Sequence, residues 1–222
     1  ILEPKYNFDI NIPLSEEICE FIGVVIGDGF TNKYGRVYQT QIVGDQILDL
    51  EYYQNILKPI CERQFKIIPK IKNASRGLRF NIYSKRLFEL LTQRFKIPAG
   101  VKCYSVKIPE EIINAKFELL NATLRGMFNT DGGVGLDRRK IYKKPYIRIN
   151  YTSASPVLIK QISEIFQTYK IPHSIHYTNK NHEYCAQQIQ INGEKNVKQF
   201  IDYIGFSNPR HLNKVNYLIK NK

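Results

Sequence analysis

Two spacings of apolar residues alternate along the chain. In RVYQTQIV (36–43), LRFNIYS (78–84), YIRINYT (146–152) and AQQIQIN (186–192), apolar and polar residues take turns. That is the period of a strand with one buried face. Over 45–65, 85–95, 155–170 and 194–204 the apolar residues recur every three or four positions, which predicts amphipathic helices. Asp45 is placed to cap the first of these. Ser155, with Pro156 at the first helical position, is placed to cap the third. Short runs at 66–71 and 171–177 predict one further strand in each half. Two more apolar segments, FIGVVIGDGF (21–30) and LRGMFNTDGGV (124–134), each end in Asp-Gly. The stretches before them, LSEEICE and NAKFELLNAT, read as helix openings. Polar loops are expected after them, at 31–35 and 135–144.

The order helix, two strands, helix, two strands, helix therefore occurs twice, with 103 positions between Asp28 and Asp131. Weak identity with matching element order is the mark of an old internal duplication. The fold class expected is α+β, with halves at 12–105 and 106–222.

Composition narrows the function. The 222 residues are 43% hydrophobic, enough for a core, and carry a formal charge of +13. A chain this basic points to a polyanion. Its cations are spread along the sequence, not gathered on one amphipathic helix, so nucleic acid is favoured over a membrane surface. No run approaches the roughly 18–20 apolar residues of a membrane span. The start, ILEPKYNFDI, has no apolar signal-peptide core and no initiator Met. The expectation is a cytoplasmic protein trimmed or excised from a longer frame. Cys19, Cys61, Cys103 and Cys185 are scattered, as reduced thiols would be.

The paired motifs carry the candidate chemistry. Gly23 with Gly27, and Gly126 with Thr130, lie four apart and make low-relief stripes on one helical face. Two such stripes packed together would bring the helices closer than the usual 8–10 Å. Gly29 and Gly132 are expected as left-handed helix stops. Each aspartate then sits at a helix C-terminus, where the dipole disfavours a carboxylate by about 0.3–1 kcal/mol. Two carboxylates converging there with free carbonyls require a cation. Hard divalent ions take oxygen ligands and can activate water for phosphoryl displacement. A single Asp-Gly is an ordinary turn; it is the pairing that makes a site.

FIGVVIGDG and LRGMFNTDG resemble the two motifs of the LAGLIDADG homing endonucleases, and the repeat order resembles their single-chain members from archaeal introns and inteins. The resemblance covers about residues 12–220. It implies a duplicated αββαββα fold whose two antiparallel sheets form a saddle over DNA. It also implies a monomeric, metal-dependent endonuclease cutting both strands of a long asymmetric target across a minor groove, leaving short 3′ overhangs. The ion expected is Mg²⁺ or Mn²⁺, with Ca²⁺ as a non-catalytic substitute. By the motif's register Asp28 and Asp131 are the essential acids, and Gly27 and Thr130 offer backbone oxygens to the metal. The motif's sixth position, acidic in the family's name, is Ile26 and Asn129 here. Lys102, and Arg210 or Lys214, would be the basic helpers that polarise the phosphate. The family often has Gln or Lys where this chain has Val43, Gly44 and Asp45; Gln41 is the nearest polar substitute. The rival reading within the resemblance is a non-catalytic nucleic-acid binder such as an intron RNA maturase.

Strand periodicity supplies a DNA-facing set suited to major-groove contacts. It comprises Gln39, Gln41, Lys70, Lys72, Arg79, Asn81 and Tyr83 in the first half. In the second half it comprises Arg148, Asn150, Thr152, His176, Gln188 and Gln190. Arg36 opens the first alternating run and is counted with the DNA-binding residues, and Arg138 and Arg139 lie in a loop that would meet phosphates. His173, His176, His182 and Cys185 cluster in sequence but match no usual zinc spacing.

Overall fold

The computed structural model describes residues 8–75, 77–137, 146–178 and 186–220, with the side chains of 218–220 left aside. Helix α1 (Glu16–Ile26) starts where the Ser15 hydroxyl accepts the Ile18 N–H. Strands β1 (Gly29–Tyr34) and β2 (Val37–Gly44) form a hairpin. Helix α2 (50–65) follows, then strands β3 (Lys70–Ala74) and β4 (Gly77–Tyr83), then helix α3 (85–94). A connection containing the short helix α4 (Glu110–Ile113) leads to α5 (Phe117–Thr130). The order then repeats: β5 (Gly132–Asp137), β6 (Tyr146–Ser153), α6 (Pro156–Thr168), β7 (Ser174–Thr178), β8 (Ala186–Asn192) and α7 (Glu194–Tyr203). Helix α8 (Pro209–Lys220) ends the described chain.

Both sheets are antiparallel and have the same topology, β1-β2-β4-β3 and β5-β6-β8-β7. Register repeats with the motif. Phe30 pairs Gln41, which pairs Asn81, which pairs Lys70; Gly133, Asn150, Gln190 and Ser174 make the matching row. Alternation decides the faces. Ile42, Leu78, Phe80 and Ile82 are buried, Phe80 against Tyr53 of α2, and Ile147, Ile149, Tyr151, Ile189 and Ile191 are buried in the second half. There Phe128 packs on Tyr151 and Phe200, with ring centroids 5.0 and 4.8 Å apart.

The elements differ from the sequence reading in several places. Helix α2 begins at Leu50, not 45: the Asp45 carboxylate accepts the Ile47 and Leu48 N–H groups in a local turn, leaving no helix to cap. Within α2, Pro59 has no N–H to give, and the turn before it widens into a π-helix at Tyr53–Leu57. Most of 31–35 is strand, since β1 runs to Tyr34; 135–137 likewise close β5. Helix α8 was not expected at all, although Asn208 followed by Pro209 is a readable start: the Asn208 side chain accepts the Arg210 N–H.

Candidate active site

The two motif helices, α1 and α5, pack directly against each other, and α1 is buried from Ile18 to Ile26. Glycine makes this possible. A Cβ on Gly23 would overlap the Thr123 carbonyl oxygen, and one on Gly126 would overlap that of Glu20. These contacts are reciprocal, since 20 and 23 correspond to 123 and 126 under the 103-residue repeat. Gly27 faces the Thr130 hydroxyl in the same way. The expected stripes therefore meet on a pseudo-dyad. Gly29 and Gly132 act differently from expectation. Neither has a positive φ; each opens a strand so close to its helix that a Cβ would strike the backbone of Val25 or Phe128. Close approach, not a left-handed stop, demands glycine there.

The geometry brings Asp28 and Asp131 together at the adjoining C-terminal ends of α1 and α5. Asp28 is half-buried and Asp131 is open to solvent on one side. Crowding by protein raises the pKa of Asp28, as do the charge of Asp131 and a hydrogen bond between the two side chains. Asp131 is also raised, first by loss of solvent, with Lys102 and the bond to Asp28 opposing. The pair resists double ionisation, as like charges in contact must.

Cations meet the exposed helix ends. Lys102 Nζ donates to the carbonyls of Ile26 (2.5 Å) and Gly27 (2.6 Å). Its segment is held by the Gly100 N–H bonded to Thr31 O at 2.8 Å, with Gly100 at φ +77°. Burial lowers the Lys102 pKa while Asp131 and Asp28 push it up. In the other half Arg210 Nη2 donates to Thr130 O at 3.2 Å. Lys214, one turn further along α8, is exposed, whereas Arg210 is the residue bonded to the second helix end.

These donors fit a hard divalent cation. They are oxygens only: two carboxylates that repel one another and the Gly27 and Thr130 carbonyls beside them. Among the described residues no three His, Cys, Asp or Glu side chains converge. The Tyr151 hydroxyl, fully buried, has no hydrogen-bond partner among the described residues and feels the charge of both aspartates.

Several residues at this junction were not anticipated. Glu20, in the apolar run of α1, accepts bonds from Arg125 Nε (3.1 Å), the Tyr52 hydroxyl (3.1 Å), Asn129 Nδ2 (3.2 Å) and Ser207 Oγ. Asn129, at the motif's sixth position, receives the backbone N–H groups of Ser207 (3.1 Å) and Asn208 (3.0 Å). Asp49, 4% exposed, pairs with Arg210 at 2.9 Å. A carboxylate inside an apolar helix was the available signal for Glu20. Asp49 was hidden by the assumed helix start at 45.

On the sheets, Gln39, Gln41, Lys70, Lys72, Arg79 and Tyr83 lie on the outward face of the first half. Asn81 shares that face but is 7% exposed, because the Gln39 and Gln41 amides both donate to its side-chain oxygen (3.1 and 2.6 Å). It braces its neighbours and is not freely presented. In the second half Arg148 donates to Asn192 (2.9 Å) and Gln188 to Thr152 (2.9 Å), and Gln190 bonds Gln188. Asn150 shares their half-buried face. His176 is exposed on β7 beside Ser174. Arg36 is exposed at the β1–β2 turn, while Arg138 and Arg139 lie outside the described residues. His173 bonds Ser163 (2.7 Å) and the Ile171 carbonyl (2.9 Å), a structural pairing, and His182 and Cys185 are outside the described residues.

Residues 118–205 match a family model described as a LAGLIDADG-like domain. Among curated proteins, a DNA polymerase of Thermococcus hydrothermalis is 26% identical over 91% of this chain and 12% of its own length. A replication factor C small subunit of Methanocaldococcus jannaschii is 27% identical over 99% of this chain and 11% of its own. The chain thus spans about a tenth to a fifth of the length of the curated relatives it matches. Among solved structures, I-DmoI in complex with DNA and Ca aligns with a TM-score of 0.64 at 15% identity, over 91% of this chain and 97% of that one. The homing endonuclease I-WcaI bound to its DNA recognition sequence aligns at 0.57 and 16%, over 91% and 87%.

Proposed function

From a chain that carries a LAGLIDADG-like domain in its second half and the duplicated homing-endonuclease fold along its length, we propose a site-specific, divalent-metal-dependent DNA endonuclease. The observation that carries this reading is the meeting of Asp28 and Asp131 at the ends of two close-packed helices, with a cation on each helix end. The two halves, 12–105 and 106–222, act within one chain as a pseudo-dimer.

Asp28 and Asp131, with the Gly27 and Thr130 carbonyls, would hold the ion. When bound, a divalent ion supplies an activated water and stabilises the leaving oxygen. Lys102 and Arg210 offset negative charge as it gathers on the scissile phosphate. The outward sheet residues position the duplex and read its bases in the major groove. They differ row by row between the halves: Arg79 and Lys72 stand where Gln188 and His176 stand in the second sheet. The target is accordingly long and asymmetric, cut on both strands with short 3′ overhangs. The matched stretch is a small part of relatives whose names share no one activity, which supports a mobile insert as the chain's origin.

The test is digestion of a randomised duplex library with Mg²⁺ or Mn²⁺, and with Ca²⁺ as the binding-only control. Discrete double-strand cuts are expected. Tight duplex binding without cutting, or preference for structured intron RNA, would favour a maturase-like binder instead.

A further inference from the structure

We infer that Asp49 is a positioning residue for the second half's cation: it reaches across the pseudo-dyad and holds the Arg210 guanidinium at the end of helix α5. The inference rests on the proposed role of Arg210 at the candidate active site.

Asp49 belongs to the first half, in the corner between β2 and α2, and Arg210 to the last helix of the second. One Asp49 oxygen accepts Arg210 Nη1 at 2.9 Å and the Asp45 N–H at 2.8 Å. The other accepts Asn208 Nδ2 at 2.8 Å. Arg210 is then fixed on three sides: by Asp49, by the Thr130 carbonyl, and by His211 Nε2, which accepts from its Nε at 3.1 Å. Asn208, fully buried, also donates to the Asn129 carbonyl at 3.1 Å. Asp49 therefore ties α2, α5 and α8 together at the metal edge.

This arrangement accounts for the corner that departs from the family's pattern. A Cβ at Gly44 would lie 2.7 Å from Asp49 Oδ2 and 2.5 Å from the Tyr53 hydroxyl, so only glycine leaves room for the buried carboxylate. Asp45 supplies the backbone N–H. Val43-Gly44-Asp45 thus does not need to provide a polar helper itself; it seats the acid that orients one from the other half. A planar guanidinium with several fixed donors suits such positioning better than an ammonium would.

Single-turnover cleavage of each strand at saturating Mg²⁺ tests the idea, with duplex affinity measured separately in Ca²⁺. Asp49→Asn is expected to slow cleavage about 10–100-fold, as loss of an outer supporting group does, with unchanged affinity for DNA. Asp49→Glu, which keeps the charge, should recover part of the rate and covers the case that the Asn variant does not fold. The double variant with Arg210→Ala should be no slower than Arg210→Ala alone. Full-rate cleavage by Asp49→Asn while Arg210→Ala is slow would overturn the inference. So would two losses that simply multiply. Wild-type protein that cuts nothing, or Arg210→Ala that cuts normally, would instead overturn the reading on which it rests. A readout independent of cleavage is the ¹⁵N resonance of Arg210 Nε. Restricted rotation is expected in wild type and free rotation in Asp49→Asn; free rotation in both would overturn the positioning role.

Discussion

At the scale of residues, the two aspartates destabilise the metal-free fold. Loss of solvent raises both folded-state pKa values, that of Asp28 to about 8, so the fold favours protonation of the pair. Stability from this source is present at low pH and is lost as pH rises through the raised values. Buried His211 has the opposite sign. Burial and the neighbouring Arg210 lower its pKa from 6.5 to about 3, so below 6.5 the unfolded chain takes up a proton that the fold refuses. Melting temperature of metal-free protein should therefore peak between the two limits. Asp28→Asn should flatten the fall on the alkaline side, and His211→Gln the fall on the acid side. If melting of the Asp28→Asn variant tracks wild type from pH 5 to 8, the strained pair is not the cause. Asp28→Asn and Asp131→Asn should each abolish cleavage, retain duplex binding, and lose the Tm increase that Mg²⁺ gives to wild type by binding the folded state.

At the scale of elements, helix contact depends on missing side chains. Gly23→Ala and Gly126→Ala would each press a methyl group onto the opposite helix's backbone. Backbone cannot swing aside, so α1 and α5 must separate. Overpacking of this kind costs about 1–3 kcal/mol, several degrees of Tm for a chain of this size. Gly135→Ala meets nothing within 4 Å and should melt like wild type in a thermal denaturation series. Both helix variants should also cut poorly, because separation of the helices separates Asp28 from Asp131.

At the scale of the whole molecule, two sheets with polar outward faces hang from one helix pair, on a chain of charge +13. Duplex affinity should fall steeply with salt, with a log–log slope of about −0.9 for each phosphate neutralised. Lys70→Ala and Lys72→Ala should each reduce the slope by about one unit if that residue holds a phosphate. An unchanged slope would assign the lysines to base contacts or to solvent. Titration of target binding against salt concentration measures this directly.

Much of this protein was determined by sequence alone, because local periodicity and composition carry it. Period two placed β2, β4, β6 and β8 and sorted their faces. Period 3.6 placed the helices other than α4 and α8, and the doubled small-residue Asp-Gly signature paired Asp28 with Asp131. Lys102 came from the family resemblance, and the structure sets its ammonium on the Ile26 and Gly27 carbonyls. What tertiary structure decided were contacts between residues far apart in the chain. Asp45 makes a turn, and its N–H bonds the same Asp49 oxygen that accepts from Arg210, 161 positions beyond Asp49. Asn81 vanished beneath two glutamines that only strand pairing brings alongside. Glu20, Asn129 and Ser207 meet only after both halves have folded onto each other. A carboxylate's role depends on which cation lies within 3 Å, and no local pattern encodes that distance. The charge organisation around the two aspartates therefore belongs to the fold, although the aspartates themselves were written in the motif.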